Sequence, residues 1–332
     1  MNRHPHPLLH VENLRVWFPV KGRLALVRRV PAAYVQAVDG VSLTAHSGDI
    51  IGVVGESGCG KSTLARAIVR LETPTAGSIS VSGRDIAAMS GKELRRIRPL
   101  IQMIFQDPYA SLNPRMTVFD AVAEPIRVHR RMTGRALSSE VFALMDKVGL
   151  ASRFVRKYPH EFSGGQRQRI AIARALALQP QLLVADEPVS ALDVSVQAQI
   201  INLLAALQQE FDMTMIFISH DLGVVRHVAR RVFVMYLGRI VETGPAAEVF
   251  DAPAHPYTQT LLQAIPIPDP EQERSRVHVV PKGEPPSPIN PPSGCRFHPR
   301  CPKAQPSCSL NDPALERLDE VREVACPFVR RV

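Results

Sequence analysis

The nine residues Gly55-Glu56-Ser57-Gly58-Cys59-Gly60-Lys61-Ser62-Thr63 carry the densest chemistry in the chain, because they fit the phosphate-binding pattern G-x-x-x-x-G-K-[ST]. Glycines let backbone N–H groups turn inward around an anion, and a helix starting at the loop's end adds the positive pole of its dipole. Lys61 then reaches the β- and γ-phosphates, and the Ser62 hydroxyl serves as a Mg²⁺ ligand. An acidic pair, Asp186-Glu187, closes the apolar run Leu182-Leu183-Val184-Ala185. Asp186 suits a carboxylate of the Walker B kind, holding Mg²⁺ directly or through water. Glu187 stands one residue further, where it can polarise a water for in-line attack on a γ-phosphate. Together the two elements predict hydrolysis of a nucleoside triphosphate, beyond binding alone.

Such groups need rigid elements behind them. The run Asp49–Val54 reads as a buried strand and Leu64–Val69 as a helix, so the loop joins strand to helix as phosphate binding requires. Residues 181–186 read as a buried parallel strand whose C-terminal end faces the ligand crevice. Between them, Phe162-Ser163-Gly164-Gly165-Gln166 precedes the amphipathic run Ile170–Leu176. Ser163 suits a helix N-cap, and the two glycines offer more backbone N–H groups to an anion.

At this point the sequence closely resembles the ATP-binding cassette (ABC) ATPases. Ser163, Gly164, Gly165 and Gln166 match that family's signature motif, with Phe162 in place of its usual leucine. Gln106 falls at its Q-loop, Ser190–Asp193 at its D-loop and His220 at its switch histidine. Phe18, beside Trp17, falls where the family stacks an aromatic on adenine, although residues 20–36 read as an insertion. The motifs run in order through residues 11–245. The resemblance implies an α/β fold: an ABC-type P-loop nucleotide-binding domain over residues 1–250, with a helical subdomain about 107–175. It implies two cassettes packed head to tail, ATP and Mg²⁺ lying between one phosphate loop and the partner's Ser163–Gln166. Gln106, Ser62 and Asp186 would then bind Mg²⁺, Glu187 and Gln106 would serve catalysis, and His220 would sense the γ-phosphate.

The chain has 332 residues, 45% hydrophobic and 21% charged, an ordinary globular composition with room for two domains. No apolar run is long enough to span a bilayer, and the polar, Pro-broken start lacks a signal-peptide segment, so a cytosolic protein is expected. A net charge of +9 suits an anionic partner, membrane surface or nucleic acid. One cassette per chain and no long heptad pattern in residues 107–160 speak for a transport motor and against an ATPase acting on nucleic acid.

Residues 251–332 differ in kind. They hold 16 of the 29 prolines and four of the five cysteines, and read as a small Cys- and Pro-rich C-terminal module with little apolar content to pack. Ala254–Leu262 and Pro285–Cys295 resemble the C-terminal extension of oligopeptide/dipeptide permease ATPases, and Gln166 resembles the F-type rather than the D-type subunit. That resemblance implies a D-type partner cassette, two membrane permeases, an extracytoplasmic solute-binding protein and a place on the cytoplasmic face of the inner membrane. Di- or oligopeptides are the implied cargo, with nickel carried by close relatives. Cys295, Cys301, Cys308 and Cys326, with 5, 6 and 17 residues between neighbours, favour a metal in a cytosolic chain. Their spacing leaves zinc and an iron–sulfur cluster both open. The resemblance favours [4Fe–4S].

Overall fold

The computed structural model describes residues 7–20, 33–264 and 283–329. Contacts divide the chain into two units, one of Met1–Leu9, Ala45–Ile50 and Val81–Ser219, the other of His10–Thr44, Ile51–Ser80 and His220–Val332.

The first unit is built on three parallel strands, with Leu182–Asp186 between Ile101–Ile104 and Thr214–Ile218. Every residue of Leu182–Asp186 and of Thr214–Ile218 is buried, which is why both segments are largely apolar with no alternation. Helices Val118–Pro125, Gly134–Lys147 and Val194–Glu210 all pack on a fourth, Gly164–Leu176, which also touches Ile101–Ile104. The amphipathic run read from Ile170 is therefore the C-terminal half of a longer helix that starts at Gly164. A Cβ on Gly165 would lie 2.4 Å from Val196 Cγ1, so glycine there lets Gly164–Leu176 and Val194–Glu210 approach closely.

In the second unit, Ile51–Val54 pairs in parallel with the first four residues of the strand Arg231–Tyr236, Ile51 opposite Arg231 and Val54 opposite Val234. Arg231–Tyr236 is antiparallel to Arg239–Pro245, which pairs in turn with Glu323–Val324 and, through it, Glu316–Arg317. A further sheet places Leu9–Pro19 between Tyr34–Ala45 and Ala76–Val81. Helix Lys61–Ile68 follows the phosphate loop and buries Leu64, Ala65, Ala67 and Ile68.

Residues 283–329 form little regular structure, as their prolines dictate: two short 3₁₀ turns, His298–Arg300 and Pro306–Ser309, and the two-residue strands. The expectation that this segment has little to pack needs correction. Phe297 is 1% exposed and stacks edge-on against Tyr236 and Tyr257, ring centroids 5.2 and 5.3 Å away, so a few large aromatics supply the burial that a longer apolar run would give.

Candidate functional site

The phosphate loop lies in the second unit, and its geometry accounts for its glycines. Gly55 has φ 155° and Gly60 φ 109°, and a Cβ on either would meet a backbone oxygen, Met235 O at 2.1 Å or Ala37 O at 2.0 Å. Gly58, at φ 77°, completes the turn. Gly60 is the N-cap of Lys61–Ile68, and no side chain caps that helix, so its first turn presents backbone N–H groups and positive field to an anion. Lys61 is buried, and its Nζ donates to Gly55 O at 2.8 Å and Glu56 O at 2.9 Å, which draws the ammonium back over the loop. Ser57, Ser62 and Thr63 follow in the loop and the first turn of the helix. Cys59 is 6% exposed, and burial pushes its thiol up against the smaller opposing pull of Lys61.

Two further sequence-predicted groups belong to this unit. His220 is exposed and directly precedes Asp221, whose carboxylate caps helix Leu222–Val228 through Gly223 N at 2.9 Å and Val224 N at 3.2 Å. Phe18 is half-buried at the end of Leu9–Pro19. Its neighbour Trp17 pairs with Tyr34 at a centroid distance of 6.3 Å, so the aromatic surface here extends beyond Phe18. Residues 21–32 of the expected insertion lie outside the described residues.

The first unit holds Gln106, Ser163–Gln166, Asp186 and Glu187. Asp186 is 2% exposed at the C-terminal end of its buried strand, with Glu187 next to it. Glu187 has φ 46°, a left-handed conformation that costs a non-glycine residue energy and turns the chain sharply off the strand. Its amide donates to Ile218 O at 3.0 Å, and Ser190 Oγ donates to its carbonyl at 3.1 Å. Gln106 Nε2 donates to Glu187 Oε2 at 3.0 Å, so these two predicted residues do meet. Ser163 caps Gly164–Leu176 as expected: Gln166 N donates to its Oγ at 3.4 Å, while Ser163 N donates to Gln166 Oε1 at 3.1 Å. The reciprocal cap fixes the loop whose N–H groups the glycines expose.

Cys295, Cys301, Cys308 and Cys326 line one cavity of about 280 Å³, and none is in a disulfide. Burial pushes the Cys295 thiol up to about 11, with Cys308, Cys326 and Cys301 adding to the rise. Among the described residues, no three Cys, His, Asp or Glu groups lie close enough to hold a metal ion. The donor set therefore does not fit a closed mononuclear zinc site, in which four thiolates converge at about 2.3 Å from one ion.

Known proteins resemble the chain along nearly all of its length. The family described as ABC transporter matches residues 38–190, and the family described as oligopeptide/dipeptide transporter, C-terminal region, matches residues 241–308. The oligopeptide transport ATP-binding protein OppF of Salmonella typhimurium is 53% identical over 310 residues, 93% of this chain and 92% of that protein. The chain belongs to the ABC transporter ATPases. The di/tripeptide transport ATP-binding protein DppF of Pseudomonas aeruginosa is 50% identical over 294 residues, 89% and 90% of the two chains. Among solved structures, the dimeric post-hydrolysis ATP-binding cassette MJ0796 bound to ADP and Pi matches with TM-score 0.64 and 29% identity, over 72% of this chain and 98% of that one.

The part of this ABC ATPase that sequence reasoning missed lies around the loop's second residue. Tyr257 and Arg300 are buried polar side chains that bond to Glu56, and the buried Arg296 bonds to Leu237 O in the same unit, yet no motif announces them. Tyr257 lies in a segment that the sequence marks only by resemblance, and Arg300 is the neighbour of Cys301. A large aromatic and two arginines in an otherwise Pro-rich segment are the available signal.

Proposed function

We propose that this ABC ATPase drives a di- or oligopeptide importer, with a related solute such as nickel as the alternative cargo. The observation that carries the reading is the pairing, in one chain, of a phosphate loop and a buried Asp186-Glu187 strand end with a C-terminal region like that of the oligopeptide/dipeptide transporters. Relatives named for oligopeptide and di/tripeptide transport support the cargo class.

ATP is held through its phosphates by Gly55, Ser57, Gly58, Gly60, Lys61, Ser62 and Thr63, with its adenine against Phe18. Lys61 exchanges its two carbonyl partners for phosphate oxygens, a stronger charge-assisted contact. Ser62, Asp186 and Gln106 would hold Mg²⁺, which neutralises the phosphate charge that develops during transfer. Glu187 accepts the proton of the attacking water, and Gln106 orients its carboxylate through the bond to Oε2. His220 contacts the γ-phosphate, and Ser163, Gly164, Gly165 and Gln166 close on the nucleotide of the opposing cassette.

The opposing cassette is a related D-type chain, and the pair works beneath two membrane permeases and an extracytoplasmic solute-binding protein, at the cytoplasmic face of the membrane. Two observations support a peripheral subunit that meets a permease. No helix among the described residues is long and apolar enough to cross a membrane. A groove of about 500 Å³, lined by Tyr109–Pro114, Met116, Ala121, Glu124 and Arg174, opens just after Gln106, and Tyr109 in its wall is 64% exposed. We further propose that the chain divides functionally near residue 250, and that the four cysteines of the extension carry a [4Fe–4S] cluster. What supports this reading is that four cysteines, none of them in a disulfide, line one cavity. The cluster would supply order to a segment poor in regular structure.

Affinity purification of the tagged chain from gently solubilised native membranes tests the assembly. Two multi-span permeases and a second cassette are the expected companions. Ribosomal proteins or nucleic acid, with no membrane protein, would overturn it.

A further inference from the structure

The second residue of the phosphate loop is a glutamate, an unfavourable choice beside a polyanion unless its charge is balanced. Glu56 is fastened at three points within its unit. Its carboxylate receives a two-pronged bond from Arg300, Nη1 to Oε2 at 2.8 Å and Nη2 to Oε1 at 3.1 Å. Its backbone N–H donates to Tyr257 Oη at 2.9 Å, and its carbonyl accepts from Lys61 Nζ at 2.9 Å. Arg300 is 7% exposed and Tyr257 fully buried, so neither contact is a surface accident. Both partners come from the far end of the chain, 244 and 201 residues away. They are braced in turn: Tyr257 packs on Tyr236 at 4.6 Å and on Phe297, and Phe297 lies in the same short stretch as Arg300.

We propose that Arg300 and Tyr257 are positioning residues for nucleotide binding, through which the C-terminal extension neutralises Glu56 and sets the orientation of the phosphate loop. Arg300 cancels the one carboxylate that the loop itself would present to the phosphates. Tyr257 fixes the Glu56 peptide plane, and with it the direction of the neighbouring loop amides that must point at the anion. The extension thus contributes to ATP affinity without touching ATP. The inference rests on the reading that Gly55–Thr63 is the phosphate site.

The test is nucleotide affinity of the full-length chain, measured with a fluorescent ATP analogue and Mg²⁺, alongside thermal melting. Arg300→Met is expected to weaken binding about tenfold, because it leaves Glu56 charged and unpaired beside the phosphates. Adding Glu56→Gln to Arg300→Met should restore most of the affinity, since the charge that Arg300 balanced is gone. Tyr257→Phe, which removes one hydroxyl, should weaken binding about threefold. Should Arg300→Met fail to fold, Arg300→Gln, which also removes the charge but keeps a polar side chain, carries the same comparison with and without Glu56→Gln. Lys61→Ala is the control. Loss of binding there with wild-type affinity in Arg300→Met and Tyr257→Phe would overturn the inference alone. A double variant binding no better than Arg300→Met would overturn it too, because a merely structural arginine gives no rescue. Undiminished binding in Lys61→Ala would instead overturn the phosphate-site reading beneath it.

Discussion

At the scale of single residues, catalysis turns on groups whose neighbours are defined. Glu187 is held off its strand in a left-handed conformation and accepts a bond from Gln106, so a change of its charge alone should separate chemistry from binding. Glu187→Gln is expected to bind ATP with near-wild-type affinity while phosphate release falls by about 100-fold or more. Cys59 yields a prediction of the opposite kind. A thiol in a phosphate loop suggests sensitivity to alkylation, but burial holds it protonated and covered. Iodoacetamide at neutral pH should label Cys59 far more slowly in the folded chain than in urea, as peptide mass spectrometry would record. These residues were legible in the sequence because their chemistry is local: the glycines, Lys61 and Ser62 sit within one nine-residue pattern. The bond between Gln106 and Glu187 was not, because it joins residues 81 positions apart through adjacent parallel strands.

At the scale of elements, the helix Gly164–Leu176 is the best illustration of how far a pattern reaches. The Ser163 cap and the amphipathic run were both readable, and they mark the two ends of one helix. The role of Gly165 was readable only in part. Beyond exposing backbone, it admits Val196 where a Cβ would stand 2.4 Å from Cγ1, a contact that depends on tertiary packing. Gly165→Val should therefore destabilise the chain by about 2 kcal/mol in denaturant unfolding, through overpacking of the two helices. Ser163→Ala, which removes one member of the reciprocal cap, should cost about 1 kcal/mol. A Gly165→Val chain as stable as wild type would show that the two helices have room to separate.

At the scale of the whole molecule, the C-terminal extension proves to be built into the unit that holds the phosphate loop. Asp39, on the strand Tyr34–Ala45, is 6% exposed and receives Arg239 Nη2 at 2.9 Å as well as Arg296 of the extension. Burial alone would raise its carboxyl, but Arg239 and Arg296, with Arg15 nearby, overcome that and hold it below the usual carboxylate range. The stability this gives is fully present above the unfolded pKa of about 3.9 and is lost as pH falls from there through the lower folded value. Asp39→Asn should cost about 3 kcal/mol at pH 7, because the buried Arg296 and the half-buried Arg239 lose their common anion. The penalty should shrink in acid, and an equal penalty at pH 3 and pH 7 would contradict this assignment. Nothing in the sequence flagged the pair, since 257 residues separate Asp39 from Arg296 and neither lies in a motif. Composition marked the extension as poor in regular structure, which fits residues 283–329 but not the helix Pro256–Gln263, and it could not reveal which aromatics and arginines would anchor the segment.

That ATP turnover by this chain powers peptide uptake is tested most directly in cells. The measurement is uptake of a labelled peptide by cells whose own copy of this chain carries Glu187→Gln, with ATP-analogue binding assayed on the same purified variant. Uptake abolished while binding persists is the result expected. Undiminished peptide uptake by cells carrying only the variant would contradict the account.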